Sequence, residues 1–360
     1  MSRAEGFRVL CDCLSEIASG QEPREPLRED SDNFSWATFI SLAHEYRVSS
    51  TLACAMRACR RKSIPRGAKA YFDGLANHCR QRNEEIRGEA IKISTILNEI
   101  DVIPMFMKGG AHLLARLYPD IGMREMADLD ILIPPTRIND CVAKLADYGI
   151  TFVGDNPHPR SHHCHLGGND LPVSIELHHS VLAYPHGEFL RSEELIASAI
   201  ELDNYGVRIA VPSPACATIH NIAHAQLNDH DYIYGRIDLR GLLDLALLSH
   251  AHGDKLDWSE ISTRFVHSGW RHAWEYNAQW ARRIGAAIPS LKSISAMSRL
   301  FYVRSAYHVR APKMLGLNVR LLRIWLLLRR ELSDLDLRRR LAGNFVKVDW
   351  WKRHLGMLFR

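Results

Sequence analysis

The sequence lacks any uninterrupted apolar run near the roughly twenty residues that a membrane-spanning helix needs, so no helix is expected to cross a bilayer. Its first twenty residues, MSRAEGFRVLCDCLSEIASG, hold no continuous apolar core of a secretory leader, and the cytoplasm is the expected compartment. Eight cysteines are present, but they form no CxxC pair and no framework spacing. That excludes a disulfide scaffold, and the thiols are expected reduced and mostly buried. No GxSxG surrounds a serine, and no cysteine has a context that would activate it. Neither sign of charge dominates: 46 Lys and Arg against 41 Asp and Glu leave +5, which permits an anionic substrate without calling for nucleic acid. There is no internal repeat and no low-complexity segment.

The chain is 360 residues, 46% hydrophobic and 24% charged, with mean hydropathy −0.18. That composition suits a soluble globular protein of two or three packed units. Residues 1–100 read as helices. FSWATFISLAHEYRV sets Trp36, Phe39, Ile40, Ala43 and Tyr46 at helical spacing behind a Ser35 cap, and residues 68–100 run without proline as a long helix whose interleaved charges predict a solvent-facing element. From Asp101 the period shortens. VIPMFM, DLDILI, HHCHLGG, LPVSIELHH and GVRIAVP read as strands, with helices at GGAHLLARLY and PTRINDCVAKLADYGI. After Pro214 the pattern is helical again, ending in a basic tail. The expected organisation is an N-terminal helical region (1–100), an α/β core (101–212) and a C-terminal helical region (213–360), within an α+β, mixed α/β class.

The chemistry gathers in FMKGGAHLLARLYPDIGMREMADLDILIPP, residues 106–135. Strand alternation puts Asp128 and Asp130 on one face and Leu129, Ile131 and Ile133 on the other. LPVSIELHH repeats the device, with Ser174, Glu176 and His178 on one face. If the two strands are neighbours, three carboxylates converge, repel and raise one another's pKa. A divalent cation resolves that conflict, and carboxylates that bridge metal ions are one way to run in-line displacement at phosphorus. Lys108-Gly109-Gly110 opens a helix, where free backbone N–H groups admit an anion. A lone Gly-Gly is more often a plain turn and a lone Asp-x-Asp a solvated strand end. The phosphate-and-metal reading comes from their combination in one unit.

These residues resemble the nucleotidyltransferase superfamily that includes DNA polymerase β, with its Gly-Gly or Gly-Ser helix start and acidic strand. The pattern Met107-Lys108-Gly109, Leu117-Tyr118-Pro119, Arg124 and Asp128-Leu129-Asp130-Ile131-Leu132 is closer still to a bacterial branch known as nucleotidyltransferase family proteins. The resemblance implies a small mixed-sheet, polymerase β-like core flanked by helical units, and transfer of an NMP from an NTP to an acceptor with release of pyrophosphate. It assigns Asp128, Asp130 and Glu176 to Mg²⁺ or Mn²⁺, with Glu176 doubling as a base, and Gly109, Gly110 and Lys108 or Arg124 to the phosphates. Seventeen residues separate Gly110 from Asp128, more than the wider superfamily uses.

Other readings stand beside this one. His162, His163, Cys164, His165, His178, His179 and the i, i+4 pair His220 and His224 raise a zinc site, although Asn221 rules out HExxH. His178 shares Glu176's face and is a candidate to orient the acceptor or a phosphate. Arg240 and Asp244 lie four apart, a spacing that forms helix ion pairs or lines the cleft. The tail from Asn318 reads as an amphipathic helix followed by basic residues, which docks on its own core or meets an anionic membrane surface. A non-catalytic nucleotide-binding scaffold and a metal-dependent phosphohydrolase are the rival functions. The acceptor is left open among small molecules, sugars, peptides and protein side chains, with nucleic acid disfavoured.

Overall fold

Period-two alternation gives the middle of the chain a sheet with two unlike faces. The computed structural model describes residues 1–23, 34–59, 64–153, 163–168, 171–203, 205–291 and 293–333. Among these, seven strands form one sheet: Met105–Phe106 (β1), Asp128–Leu132 (β2), Thr151–Phe152 (β3), His163–Gly167 (β4), Ser174–His178 (β5), Ile200–Leu202 (β6) and Ile209–Val211 (β7). Their order is β3-β4-β5-β2-β1-β7-β6. β2 is parallel to β5 and β1 to β7, while the remaining neighbours are antiparallel. The expected strands and the mixed α+β class are all present. β3 and β6 carry no sequence signal because they are short edge strands whose residues are mostly exposed, so no apolar run marks them as one marks β1 and β7.

Helices surround the sheet. Arg3–Ala18 (α1), Trp36–Glu45 (α2), Ser49–Ala58 (α3) and Arg66–Asn98 (α4) precede it, and Lys108–Leu114 (α5), Ile138–Ala146 (α6) and Ser192–Ala197 (α7) lie between strands. Pro214–Ala223 (α8), Asp231–Tyr234 (α9), Leu239–Ala251 (α10), Trp258–His267 (α11), Arg271–Arg283 (α12), Ala296–Arg310 (α13) and Pro312–Ser333 (α14) follow. The Ser35 hydroxyl caps α2 by accepting from the Thr38 N–H at 3.2 Å. No helix of the described residues is long and apolar enough to cross a membrane.

The two faces of the sheet feed two cores. Leu129, Ile131, Ile175 and Leu177 pack under Ile86 and Ile93 of α4 and Leu145 of α6. On the opposite face, Met105, Leu132 and Ala210 join a larger core with Leu14 of α1, Ile222 of α8 and Trp274 of α12. Helices from before and after the sheet therefore share one interior, and α1 packs directly on α10 and α13.

The long α4 is solvent-facing along one side, where Lys69, Gln81, Glu84, Glu85 and Lys92 are exposed, but its other side is not. Ile86 and Ile93 are fully buried, and so is Asn83, whose amide donates to the carbonyls of Ile121 and Arg124 at 2.6 and 2.8 Å. Arg82 donates to the carbonyls of Met126 and Pro172, each at 3.1 Å, and Arg80 pairs with Asp120. From α3, the Ser50 and Thr51 hydroxyls donate to the Met123 carbonyl at 3.0 and 2.7 Å. Three polar residues of α4, Arg80, Arg82 and Asn83, thus clamp the loop 119–126, which delivers the chain into β2. His162 and the tail beyond Ser333 lie outside the described residues, as do the side chains of Ile324, Trp325, Leu328 and Leu332.

Ile131 sits between Phe106 and Leu177 in the ladder and is wholly buried. Ile131→Ala should cost about 2–5 kcal/mol through lost contacts and the cavity left behind. The check is a lowered urea midpoint with the native far-ultraviolet dichroism retained in buffer.

Candidate active site

The site is assembled by strand register. Asp128 lies opposite Ser174, Asp130 opposite Glu176 and Leu132 opposite His178 in the parallel β2–β5 pair. The open face of both strands therefore places Asp130 and Glu176 side by side. Asp130 is only 2% exposed. Its Oδ1 accepts from Lys108 Nζ at 2.7 Å and lies 2.8 Å from His178 Nε2. His178 Nε2 is also 3.5 Å from Glu176 Oε2, and Glu176 Oε1 is 3.2 Å from His165 Nδ1 on β4.

These contacts set the charges. Burial alone would raise the Asp130 carboxyl, but the His178 hydrogen bond and the Lys108 cation outweigh it and hold the group well below its ordinary range. Burial pulls His178 down, yet its hydrogen bonds to Asp130 and Glu176 leave it raised. Asp128 is raised by its own burial and by the Asp130 charge, with Lys108 opposing. Ligand atoms of Asp130, Glu176 and His178 lie within 4.8 Å of one another, a group that one cation would span. The donor set fits a divalent ion: the two carboxylates suit hard cations such as Mg²⁺ and Mn²⁺, and the imidazole adds one nitrogen donor of borderline softness. His178 stands in this group where the sequence reading puts Asp128, which lies one step along the strand beside Ser174.

Lys108 opens α5 with φ of +46°, a left-handed conformation that costs a non-glycine residue about 1 kcal/mol or more. The glycines after it answer to packing. A Cβ on Gly109 would collide with the Arg124 guanidinium and lie 2.6 Å from Met126 Sδ, while one on Gly110 would press on Leu129 and Phe106 at 3.3 and 3.4 Å. Gly109 borders the open cleft. Gly110 turns toward the sheet.

Arg124 is buried against Asp244 of α10, with Nε 2.9 Å from Oδ1 and Nη2 2.8 Å from Oδ2. Tyr118 donates to Asp244 Oδ1 at 2.5 Å, and His112 Nε2 is 3.8 Å from Oδ2. The helix spacing of Arg240 and Asp244 predicts an ion pair between them. The structure corrects this: Asp244 takes Arg124, and Arg240 donates to the Glu125 carbonyl at 3.2 Å. A planar guanidinium arriving from the clamped loop meets the carboxylate two-pronged, which outcompetes a helix neighbour. Burial pushes Asp244 up, but Arg124 and His112 bring it down to about 2. Burial drives His112 down to about 4 against the pull of Asp244.

A cleft of about 570 Å³ runs between the sheet end and the C-terminal helices, bordered by Lys108, Asp128 and Asp130 on one side and His220, Arg236 and Asp238 on the other. Arg124, Arg240 and Asp244 also border it. The pair His220 of α8 and His224 just beyond it does not make the zinc site that its spacing raises. His224 Nδ1 turns to Asp229 at 3.3 Å, and among the described residues the only group spaced for a metal is Asp130, Glu176 and His178. His220 is 2% exposed, its Nε2 has no hydrogen-bond partner among the described residues, and burial first, then neighbouring cations, keep it neutral. Sequence reasoning reaches His220 only as a metal ligand, because nothing in α8 shows that it borders the cleft beside Lys108. Tyr118 and His112 are likewise invisible as partners of Asp244, lying more than a hundred residues away.

A mixed sheet that presents paired acidic strands beside a Lys-Gly-Gly helix start belongs to the nucleotidyl-transferring class of folds. The family described as "Uncharacterised nucleotidyltransferase" matches residues 32–285, well over half of the chain, and this protein belongs to it. The matched segment includes every residue of the site from Lys108 to Asp244. No curated protein matches the chain.

Two outcomes follow for the Arg124–Asp244 link. Arg124→Met leaves a buried carboxylate uncompensated and should destabilise by about 3–5 kcal/mol, while the double change with Asp244→Leu should recover much of that loss in a denaturant titration. For pH, the unfolded chain takes up a proton near 6.5 that folded His112 refuses until about 4, so stability falls as pH drops through that window. His112→Gln should flatten the slope there by at most about 1.4 kcal/mol per pH unit, read from denaturation midpoints at several pH values.

Proposed function

We propose that this chain transfers a nucleoside monophosphate from a nucleoside triphosphate to a hydroxyl or amine acceptor, releasing pyrophosphate, at a polymerase β-like metal site. The observation that carries the reading is the in-register β2–β5 pairing, which gathers Asp128, Asp130 and Glu176 beside the start of α5. Asp130, Glu176 and His178 would hold a Mg²⁺ or Mn²⁺ ion, with Asp128 at the neighbouring position. When bound, such an ion supplies charge neutralisation on the phosphates and makes the acceptor a better nucleophile. Lys108, beside Asp130, offers the chain's own cation to the triphosphate. Gly109 is in the first turn of α5, so its N–H lacks a helical acceptor and is free for a phosphate oxygen. Arg124 acts by position: clasped by Asp244, it lies against Gly109 and ties the phosphate side of the cleft to α10. Glu176 takes the acceptor's proton. The acceptor is a small molecule, sugar, peptide or protein side chain that enters from the α8–α10 side.

One observation favours the scaffold alternative. Lys108 and His178 already neutralise Asp130 within the protein, as they would in a relative that kept the fold and lost the metal.

Titration calorimetry with each of the four NTPs, with and without Mg²⁺ or Mn²⁺, distinguishes these readings. The transferase should bind one NTP in a metal-dependent way, and Asp128→Asn and Glu176→Gln should each weaken binding or pyrophosphate release about tenfold or more without loss of fold. Asp130→Asn is a poorer probe, because it also strands buried His178 and Lys108 and lowers stability. Nucleotide binding that survives both substitutions, with no pyrophosphate formed, would establish the scaffold instead.

A further inference from the structure

The C-terminal helices carry a surface that the nucleotide site does not use. On α13, Met297, Leu300, Val303 and Tyr307 recur three and four apart, and on α14 Met314, Leu317 and Leu321 do the same. All seven are between 44% and 62% exposed. The opposite side of α13, with Ser298, Ser305, His308 and Val309, is buried against the rest of the protein, so the helix is anchored with its apolar stripe outward. Half of the large hydrophobic residues exposed anywhere among the described residues fall in this one segment. Isolated exposed apolar residues are ordinary, but a run of them along two consecutive helices marks a contact surface.

The charge around the stripe identifies what it contacts. From Tyr276 to Arg330 the sequence has eleven Lys and Arg residues and not one Asp or Glu. Arg299, Arg310, Lys313 and Arg320 are exposed on the same two helices. A second copy of the chain seated face to face here would set arginine against arginine, since a two-fold interface repeats the same patch on both sides. The residues after Ser333 are net basic too, with seven Lys and Arg against three Asp, so their charge does not complement these arginines either. Nucleic acid would use the cations but would leave the aliphatic side chains wet. A surface that is both anionic and apolar underneath satisfies every group: the arginines and lysine meet headgroups while Leu300, Val303 and Leu317 enter the acyl boundary. We infer that α13 and the first half of α14 form an interfacial docking face for an anionic lipid surface. The helices lie along the membrane, and none crosses it.

The inference is independent of the nucleotide reading, because no residue of the stripe belongs to the metal group. The test is co-flotation of the full chain with vesicles of phosphatidylcholine alone and of phosphatidylcholine mixed with phosphatidylglycerol. The protein should float with the anionic vesicles and remain behind with the neutral ones, and salt at about 1 M, where charges are screened beyond about 3 Å, should release it. Leu300→Glu with Val303→Glu, both at exposed positions, should reduce binding about tenfold or more while leaving the melting temperature unchanged. Arg299→Glu with Arg310→Glu should abolish the preference for anionic vesicles. Failure of the full chain to float with either vesicle overturns the inference. So does undiminished binding by the Leu300/Val303 variant, which would move the contact to the residues beyond Ser333. Concentration-dependent self-association that the same variant abolishes, without vesicle binding, would identify the stripe as a face between copies.

Discussion

Parallel pairing of β2 with β5 is the constraint on which the rest of the molecule depends. It sets Asp130 opposite Glu176, and a slip of one residue would send every carboxylate into the apolar core and every isoleucine into the cleft. Such a slip is prevented by the other face, where Leu129, Ile131, Ile175 and Leu177 are locked under α4 and α6. The core that holds the sheet and the charges that give it chemistry are therefore enforced by the same alternation.

A second constraint ties the sheet to the helical body. Burying Asp244 and Arg124 together removes two charges from water, which is tolerated only because the guanidinium meets both carboxylate oxygens and Tyr118 adds a further donor. The loop that carries Arg124 is in turn pinned by Asn83, Arg82, Ser50 and Thr51. Gly109 follows from this arrangement, because any side chain there would displace the guanidinium. The cleft wall is thus held by polar bonds reaching across long sequence separations, while Lys108 and the exposed rim stay open to solvent. An α13–α14 face turned toward lipid would add a third surface to this body, built on helices whose inner sides are fixed by the common core.

Much of the site was legible in the one-dimensional pattern. Asp128, Asp130 and Glu176 announce themselves because a carboxylate inside a β-branched and leucine-rich run has no structural reason to be there. The Ser35 cap, the long α4 and the five principal strands follow from local chemistry that acts within a few residues. Where the reading failed, the partner was remote. Arg240 looked like the partner of Asp244 because helix spacing is the only proximity that a sequence displays. Arg82 and Asn83 of α4 looked solvated like their exposed neighbours because the loop they clamp is about forty residues further along. His220 and His224 looked like a metal pair because nothing local reveals that His224 turns to Asp229 or that His220 ends up beside Lys108.

The sequence by itself determined which residues make up the candidate site, the alternation that puts them on one face, and the class of fold they require, since all three are set by side-chain type and period. Tertiary structure alone decided that His178 joins Asp130 and Glu176, that Arg124 belongs to Asp244, that glycine at 109 serves the guanidinium, and that the stripe on α13 is left uncovered by the other described residues. Each of these depends on distance between segments far apart in the chain, which burial and packing set and no local pattern encodes.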